Sequence, residues 1–358
     1  MKISIFNKKV RIIYVFILAF TILFSCFVQI NAKAIYKQNG VDPWVMNERI
    51  GKGINLKSQI TPNDPSWWIA WNPKLPFLVK EAGFNSVRLW IYPMRNAQGM
   101  KLESDFFDSL DRAINDCLSQ QLVVVLTMKN HKEFINEPDS YKSHFLSFWA
   151  QIANHYKNYS ANLIFDILNE PYGNLNSTIW NQWIADVVPT IRKTNPNRNL
   201  IIGSAGYSNW RQLVNNLKLP ASDNHIIAQL HYYKPLNFTH QGINGRKKGL
   251  LWGTEKDYKE LSTIFQQVYQ WSKKQNKPIY LGEFGANNFV PENLRLKWLK
   301  AVLAEASSKG FSWSYYSFGK AGHPWAIYNP NQRKWEEPIT SVLLPNKNYN
   351  SEVKNKVN

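Results

Sequence analysis

LIFDILNEP, residues Leu163 to Pro171, is an apolar run that ends in Asn169, Glu170 and Pro171. Consecutive apolar or β-branched residues with turn chemistry behind them read as a buried strand, so Glu170 should stand where that strand emerges. Burial costs an ionised carboxylate its hydration. The remedies are a charge partner, hydrogen bonds or retention of the proton, the last being how a general acid is made. One such carboxylate is half of a device.

The neighbouring sequence repeats the same alternation. Upstream, Ile35 to Arg49 reads as a polar lead-in and GKGINL, Gly51 to Leu56, as a short strand. Lys74 to Ala82 carries Leu75, Leu78, Val79 and Ala82 at helical spacing, Gly83 stops it, and SVRLWI follows as a strand. Phe106 to Leu118 is a second helical stripe, followed by the strand VVVLT at Val123 to Thr127. The helix from Ser143, with Phe145, Phe148, Trp149, Ile152, Ala153 and Tyr156 on one face, leads into the opening strand. Downstream come a helix at Thr178 to Arg192, the strand LIIG at Leu200 to Gly203, a short helix at Trp210 to Leu217 and a strand from Ile226. A helix at Tyr258 to Lys274, the strand IYLGEFG at Ile279 to Gly285, a helix at Asn293 to Ser308 and the strand FSWSYYSF complete the pattern. Eight strands alternating with helices predict an α/β fold, a single (β/α)8 TIM barrel over residues 35–344.

The ends of the chain read differently. Lys2, Lys8, Lys9 and Arg11 precede an almost charge-free apolar run, Ile12 to Ile30, and Ala32-Lys33-Ala34 is a small-x-small cleavage pattern. Residues 1–34 are therefore expected to be a signal peptide and the protein to be secreted, in preference to an uncleaved anchor or lipid attachment at Cys26. Without the leader, Cys117 is the only cysteine, so no intrachain disulfide is expected. The tail at 345–358, rich in Asn and Lys, is expected to be disordered. The net charge of +18 is spread over scattered lysines, which argues for a solvated surface and against nucleic-acid binding. Fifteen tryptophans exceed what a core alone needs and suggest surfaces that stack flat ligand faces.

In such a barrel, chemistry sits at the C-terminal strand ends. Those ends are Asn55, Arg88, the segment Lys129 to His131, Asn169 with Glu170, His231 with Tyr233, Glu283 and Trp313. They offer two carboxylates on separate strands, an Arg and a His to bias them, a Tyr to hydrogen-bond one and a Trp as a platform, which is what glycoside hydrolysis requires. Nothing matches GxGxxG, a Walker pattern, a nucleophile elbow or HExxH, so no cofactor or metal site is implied. FINEPDS, Phe134 to Ser140, contains a second NEP, but it trails its strand by several polar residues, and Glu137 reads as a loop residue near a helix cap. Trp67, Trp68, Trp71, Trp90, Trp252 and Trp325 fall in loops or at strand ends, where a sugar could stack.

LIFDILNEP, HYY at His231 to Tyr233, FTHQG at Phe238 to Gly242, GEFG at Gly282 to Gly285 and Trp313 together resemble glycoside hydrolase family 5, the cellulase and mannanase family. The resemblance covers nearly the whole chain after the leader. It implies Glu170 as acid/base and Glu283 as nucleophile of a retaining double displacement. It further implies Asn169 as a contact to the sugar 2-hydroxyl, Arg88 and Tyr233 as supports of Glu283, His231 as a bias on Glu170, and Trp313 as the sugar floor. Members usually end the third strand with a His pair, whereas this chain has Lys129 and Asn130 there and His131 one step beyond. His131 or Asn130 would then supply the sugar contact, or Lys129 would favour an acidic or modified sugar. With Glu283 ionised nearby, Glu170 is expected to keep its proton. A carboxylate separation of about 5 Å would support retention, and about 7 to 9 Å inversion. The chain is thus expected to be a monomeric endo-β-1,4-glycanase acting on β-glucan, with β-mannan the second substrate. An exo-acting β-glycosidase and a noncatalytic carbohydrate-binding barrel are the alternatives.

Overall fold

The computed structural model describes residues 40–345 apart from positions 67, 321 and 331. The expected signal peptide with Cys26, Trp67, and the tail beyond Pro345 lie outside the described residues.

Eight parallel strands close into a barrel in chain order: β1 (Lys52–Leu56), β2 (Ser86–Ile91), β3 (Val123–Met128), β4 (Leu163–Asp166), β5 (Leu200–Gly203), β6 (Ile226–Tyr232), β7 (Ile279–Phe284) and β8 (Ser312–Phe318), with β8 pairing back onto β1. β2, β3 and β4 are buried along their whole length, which is why they read as continuous apolar runs with no alternation. The ladder of β4 is shorter than the opening stretch, ending at Asp166. Beyond it, hydrogen bonds from Ile167 N to Ile201 O at 3.0 Å and Asn169 N to Met128 O at 2.8 Å keep the chain aimed along the barrel.

The helices lie outside. α2 (Lys74–Ala82) ends on Gly83 in the left-handed region (φ +104), and α3 (Ser104–Ser119) buries Cys117. α4 (Pro138–His155) starts on a proline, which suits the first helical turn, and buries Phe145, Phe148, Trp149, Ile152 and Ala153 as one stripe. The Trp149 indole lies 5.4 Å from the Phe165 ring and donates to Ile167 O at 3.0 Å, tying helix to strand. α5 (Ser177–Arg192) does the same through Trp180, whose Nε1 donates to Gly203 O at 2.8 Å. α6 (Trp210–Asn216), α7 (Glu255–Gln275) and α8 (Glu292–Ser308) complete the ring. α7 opens on a Thr254–Asp257 capping box and closes on Asn276 with φ +50. Much of the tryptophan excess is therefore core, and several of those indoles have their N–H bonded to a backbone carbonyl.

The expected polar lead-in is instead a helix, α1 (Pro43–Ile50), capped by the Asp42 carboxylate and buried through Met46, Asn47 and Ile50. Asn47 donates to Gly310 O at 3.0 Å and accepts from Ser312 Oγ at 2.6 Å. α1 thus plugs the N-terminal end of the barrel at the start of β8, and the C-terminal end is left open. No helix among the described residues is long and apolar enough to cross a membrane.

Candidate active site

The upper barrel interior is polar, and Arg88 is its hub. Its side chain is fully buried, which only matched partners make tolerable for a guanidinium. Nε donates to Asp166 Oδ2 at 2.9 Å, Nη1 to Asn55 Oδ1 at 2.9 Å and to Glu283 Oε1 at 2.7 Å, and Nη2 to Asn169 Oδ1 at 2.8 Å. Burial opposes the Arg88 charge, but Asp166 and Glu283 outweigh it and push its pKa above the ordinary value. Asp166, inside the opening stretch, also accepts from Thr127 Oγ1 at 2.9 Å and Gln229 Nε2 at 3.0 Å. Sequence reasoning overlooked Asp166. The signal was there: an acidic residue within an apolar strand demands a buried cation, and Arg88 lies in the middle of β2.

Above this hub stand the two glutamates. Glu283 accepts from Arg88 on one oxygen and from the Tyr233 hydroxyl, at 2.9 Å, on the other. Burial and the neighbouring Glu283 hold the Tyr233 phenol well above its usual pKa, so it serves as a donor. Glu170 Oε1 lies 2.7 Å from His231 Nδ1, which is itself 3.9 Å from Glu283 Oε2. Glu170, His231 and Glu283 each bring one atom within 4.8 Å of the other two. Gly282 permits this crowding: a Cβ there would overlap the Gln229 amide and come within 3.0 Å of His231 Nε2. Glu170 itself has φ +46, a left-handed conformation that costs a residue with a side chain on the order of 1–3 kcal/mol. Asn130 steadies that turn by donating Nδ2 to the Glu170 carbonyl at 3.0 Å.

Positive groups around Glu170 oppose the effect expected of Glu283 on its proton. Burial raises the Glu170 pKa, but the hydrogen bond and charge of His231, then Lys129 and Arg88, lower it more, so Glu170 falls below its ordinary value. The positive neighbours outnumber the one carboxylate.

The strand ends open into a cleft of about 900 Å³. Glu170, His231, Tyr233 and Glu283 form its base, and Trp68, Trp90 and Trp325 stand in its walls. Trp325 meets Tyr233 at 5.6 Å and His240, from FTHQG, at 4.7 Å between ring centroids. Burial and Arg246 lower the His240 pKa to about 4, leaving a neutral ring. Several expected contacts lie elsewhere. Trp313 pairs with Lys52 at the opposite end of the barrel and packs edge-on against Phe284 at 5.6 Å in the core. Strand pleating sends Ser314 and Tyr316 inward while Trp313 and Tyr315 face the helices, so Tyr316 lines the cleft where Trp313 was expected. His131 is buried edge-on between Tyr92 and Phe134, with burial, Arg95 and Lys129 lowering its pKa to about 3, and it does not line the cleft. Asn130 supports backbone and does not line the cleft either, whereas Lys129 does. Trp71 bonds to Asp116, Trp252 packs on Phe238 and Tyr258, and Glu137 is exposed at the start of α4. Lys57, just past β1, was also missed: its ammonium donates to the Tyr316 hydroxyl at 2.8 Å.

Comparisons with known proteins agree with the barrel fold and show the family. A family model described as cellulase (glycosyl hydrolase family 5) matches residues 51–322. Endoglucanase H of Acetivibrio thermocellus is 31% identical over 312 residues, 85% of this chain and 34% of that protein, so the chain spans about a third of that relative's length. Cellodextrinase A of Ruminococcus flavefaciens is 28% identical over 289 residues, covering 73% of this chain and 83% of that one. The solved endoglucanase Cel5A from the hyperthermophilic Thermotoga maritima is similar at a TM-score of 0.81 and 34% identity, covering 85% of this chain and 100% of its own. Thermotoga maritima Cel5A has also been solved in complex with mannotriose.

Proposed function

Because this chain belongs to glycosyl hydrolase family 5, we propose that it cleaves internal β-1,4 bonds of a β-glucan with retention of anomeric configuration. The observation that carries the reading is the approach of the Glu170 and Glu283 carboxylates to within 4.8 Å. Retaining enzymes hold the pair about 5–5.5 Å apart, whereas inversion needs about 6.5–9.5 Å to admit a water.

Glu283, hydrogen-bonded and aimed by Arg88 and Tyr233, attacks the anomeric carbon through a carboxylate oxygen. A bond forms to its carboxylate oxygen while the glycosidic bond breaks, and Glu170 passes a proton to the departing oxygen. Glu170 and His231 are joined by a 2.7 Å hydrogen bond, so the proton leaves from a hydrogen-bonded pair. In the second step Glu170 takes a proton from water, the water oxygen attacks the anomeric carbon, and the ester to Glu283 breaks. Asn169 Nδ2, buried without a hydrogen-bond partner among the described residues, suits the hydroxyl beside the reacting carbon, and the Trp68, Trp90 and Trp325 rings suit sugar faces. β-Mannan is the second substrate reading, favoured by the mannotriose complex of the Thermotoga relative. Export is proposed from the charged and then apolar leader.

Proton NMR of a cello-oligosaccharide digest tests the reading: the β-anomer is expected first. Glu283→Gln should lower kcat on the order of 10⁴-fold while sparing binding. An α-anomer first product would overturn retention, and wild-type binding without hydrolysis of glucan or mannan would leave a carbohydrate-binding barrel.

A further inference from the structure

The cleft carries more positive charge than its two glutamates need. Five cationic side chains line it, Lys57, Lys129, Arg211, Lys234 and Arg246, against the carboxylates of Glu170 and Glu283. Those carboxylates are already matched, Glu283 by Arg88 and Tyr233, and Glu170 by His231. Lys234 reaches Glu260 at 3.3 Å. Lys57 and Lys129 make no salt bridge among the described residues.

These two lysines belong to one wall, built from the ends of β1, β2, β3 and β8. Lys129 Nζ lies 4.7 Å and Lys57 Nζ 6.0 Å from the Trp90 ring centroid, and Lys57 also lies 5.1 Å from Tyr316. Ring faces offset only part of the cost of a dehydrated ammonium, and that offset is small beside the cost of burying a charge without an opposite one. An ammonium can donate to a neutral hydroxyl, as Lys57 does to that of Tyr316 at 2.8 Å, but a hydroxyl leaves its charge unbalanced and an anion does not. The ligand that repays both is an anion lying against the Trp90 face.

Resting on the glycanase reading, we propose that this wall selects a β-glucan whose sugar against Lys57 and Lys129 carries an anionic substituent, a carboxylate or a phosphate. The substituent lies between the two ammonium groups while the sugar ring stacks on the adjoining indoles.

The test compares soluble β-1,4-glucan with the same polymer sparsely oxidised to C6 carboxylate and sparsely phosphorylated. Wild-type kcat/KM is expected to be about tenfold higher on at least one anionic polymer, with the preference shrinking as salt is added. Whichever polymer shows the preference identifies the substituent. Lys57→Gln with Lys129→Gln should erase the preference, and the pair Lys57→Arg with Lys129→Arg should retain it, which separates lost charge from lost folding. Equal or slower cleavage of both anionic polymers, or a preference that survives the glutamine variants, overturns the inference. Calorimetry with the Glu283→Gln protein and matching oligosaccharides keeps the two readings apart. Tighter binding of the anionic sugar supports selection even if wild type cuts nothing, whereas equal binding overturns it even if hydrolysis is confirmed.

Discussion

The base of the cleft and the wall beside it hold buried charge in opposite ways. At the base, Arg88 touches Asp166 and Glu283, and Glu170 touches His231, all within 3 Å. On the wall, Lys57 and Lys129 lie against indole and phenol rings with no carboxylate in salt-bridge reach among the described residues. A charge matched inside the fold is part of the fold. One left unmatched at a cleft is stability given up for something that arrives from outside.

The largest effect that could break this contrast comes from two methionine substitutions. Arg88→Met strips the counter-charge from two buried carboxylates at once and is expected to destabilise by about 3–5 kcal/mol. Lys129→Met removes a desolvated cation that has no ion-pair partner among the described residues, so its effect should be near zero or slightly stabilising. Urea midpoints of the two variants measure the difference. A Lys129→Met protein as weakened as Arg88→Met would mean that the wall lysine is structural and the contrast is false.

Within the base the contrast sharpens by degree. Tyr233→Phe leaves Glu283 with Arg88 as its remaining donor, and loss of a hydrogen bond to a charged group should lower kcat about 10–100-fold. Asn130→Ala touches no carboxylate. It removes the bond to the Glu170 carbonyl that steadies the φ +46 turn, so about a fivefold fall in kcat with KM unchanged is expected from the net value of one such bond. Steady-state kinetics would show whether Asn130 is instead a sugar contact, because KM would then rise.

The two regions also differ in how far they could be read from sequence. The paired base was legible because its residues end strongly apolar strands: LIFDILNEP and IYLGEFG announce both their strands and the carboxylates at their tips. The fold followed from the same regularity, with most element limits falling within a few residues of those expected. Trp313 shows where this stops. FSWSYYSF is buried on both faces, so the text does not say which alternate residues look inward, and the small Ser312 and Ser314 facing the interior become informative only once register is known. Asn130 and His131 failed for another reason. They lie past the last ladder pair of β3, where loop geometry decides direction, and it turned Asn130 to the Glu170 backbone and His131 into an aromatic nest. α1 was an oversight, since Asp42 followed by Pro43 has the cap and first-turn proline of a helix start.

The smallest effect is a titration that the wall alone should show. Burial, opposed by Glu283 and aided by Lys129, lowers the Lys57 pKa to about 8. The other groups facing it stay neutral across that range: burial and nearby carboxylates hold Tyr316 well above its usual pKa, and burial with Lys57 takes His323 down to about 4. Lys129 is lowered as well, so both lysines lose charge in the same direction. Preference for an anionic glucan should therefore hold below about pH 8 and fall above it. Stability moves the other way. A lysine whose native pKa is depressed contributes fully only above its unfolded value near 10.5, and that contribution is lost as pH falls toward 8. Between about pH 8 and pH 10 the difference in urea midpoint between wild type and Lys57→Met should thus shift in favour of wild type while wild-type selectivity declines. Two readouts moving in opposite directions through one titration would mark Lys57 as a charge held for a ligand. Selectivity that is flat through this range would assign the anion to Lys129 or to neither lysine.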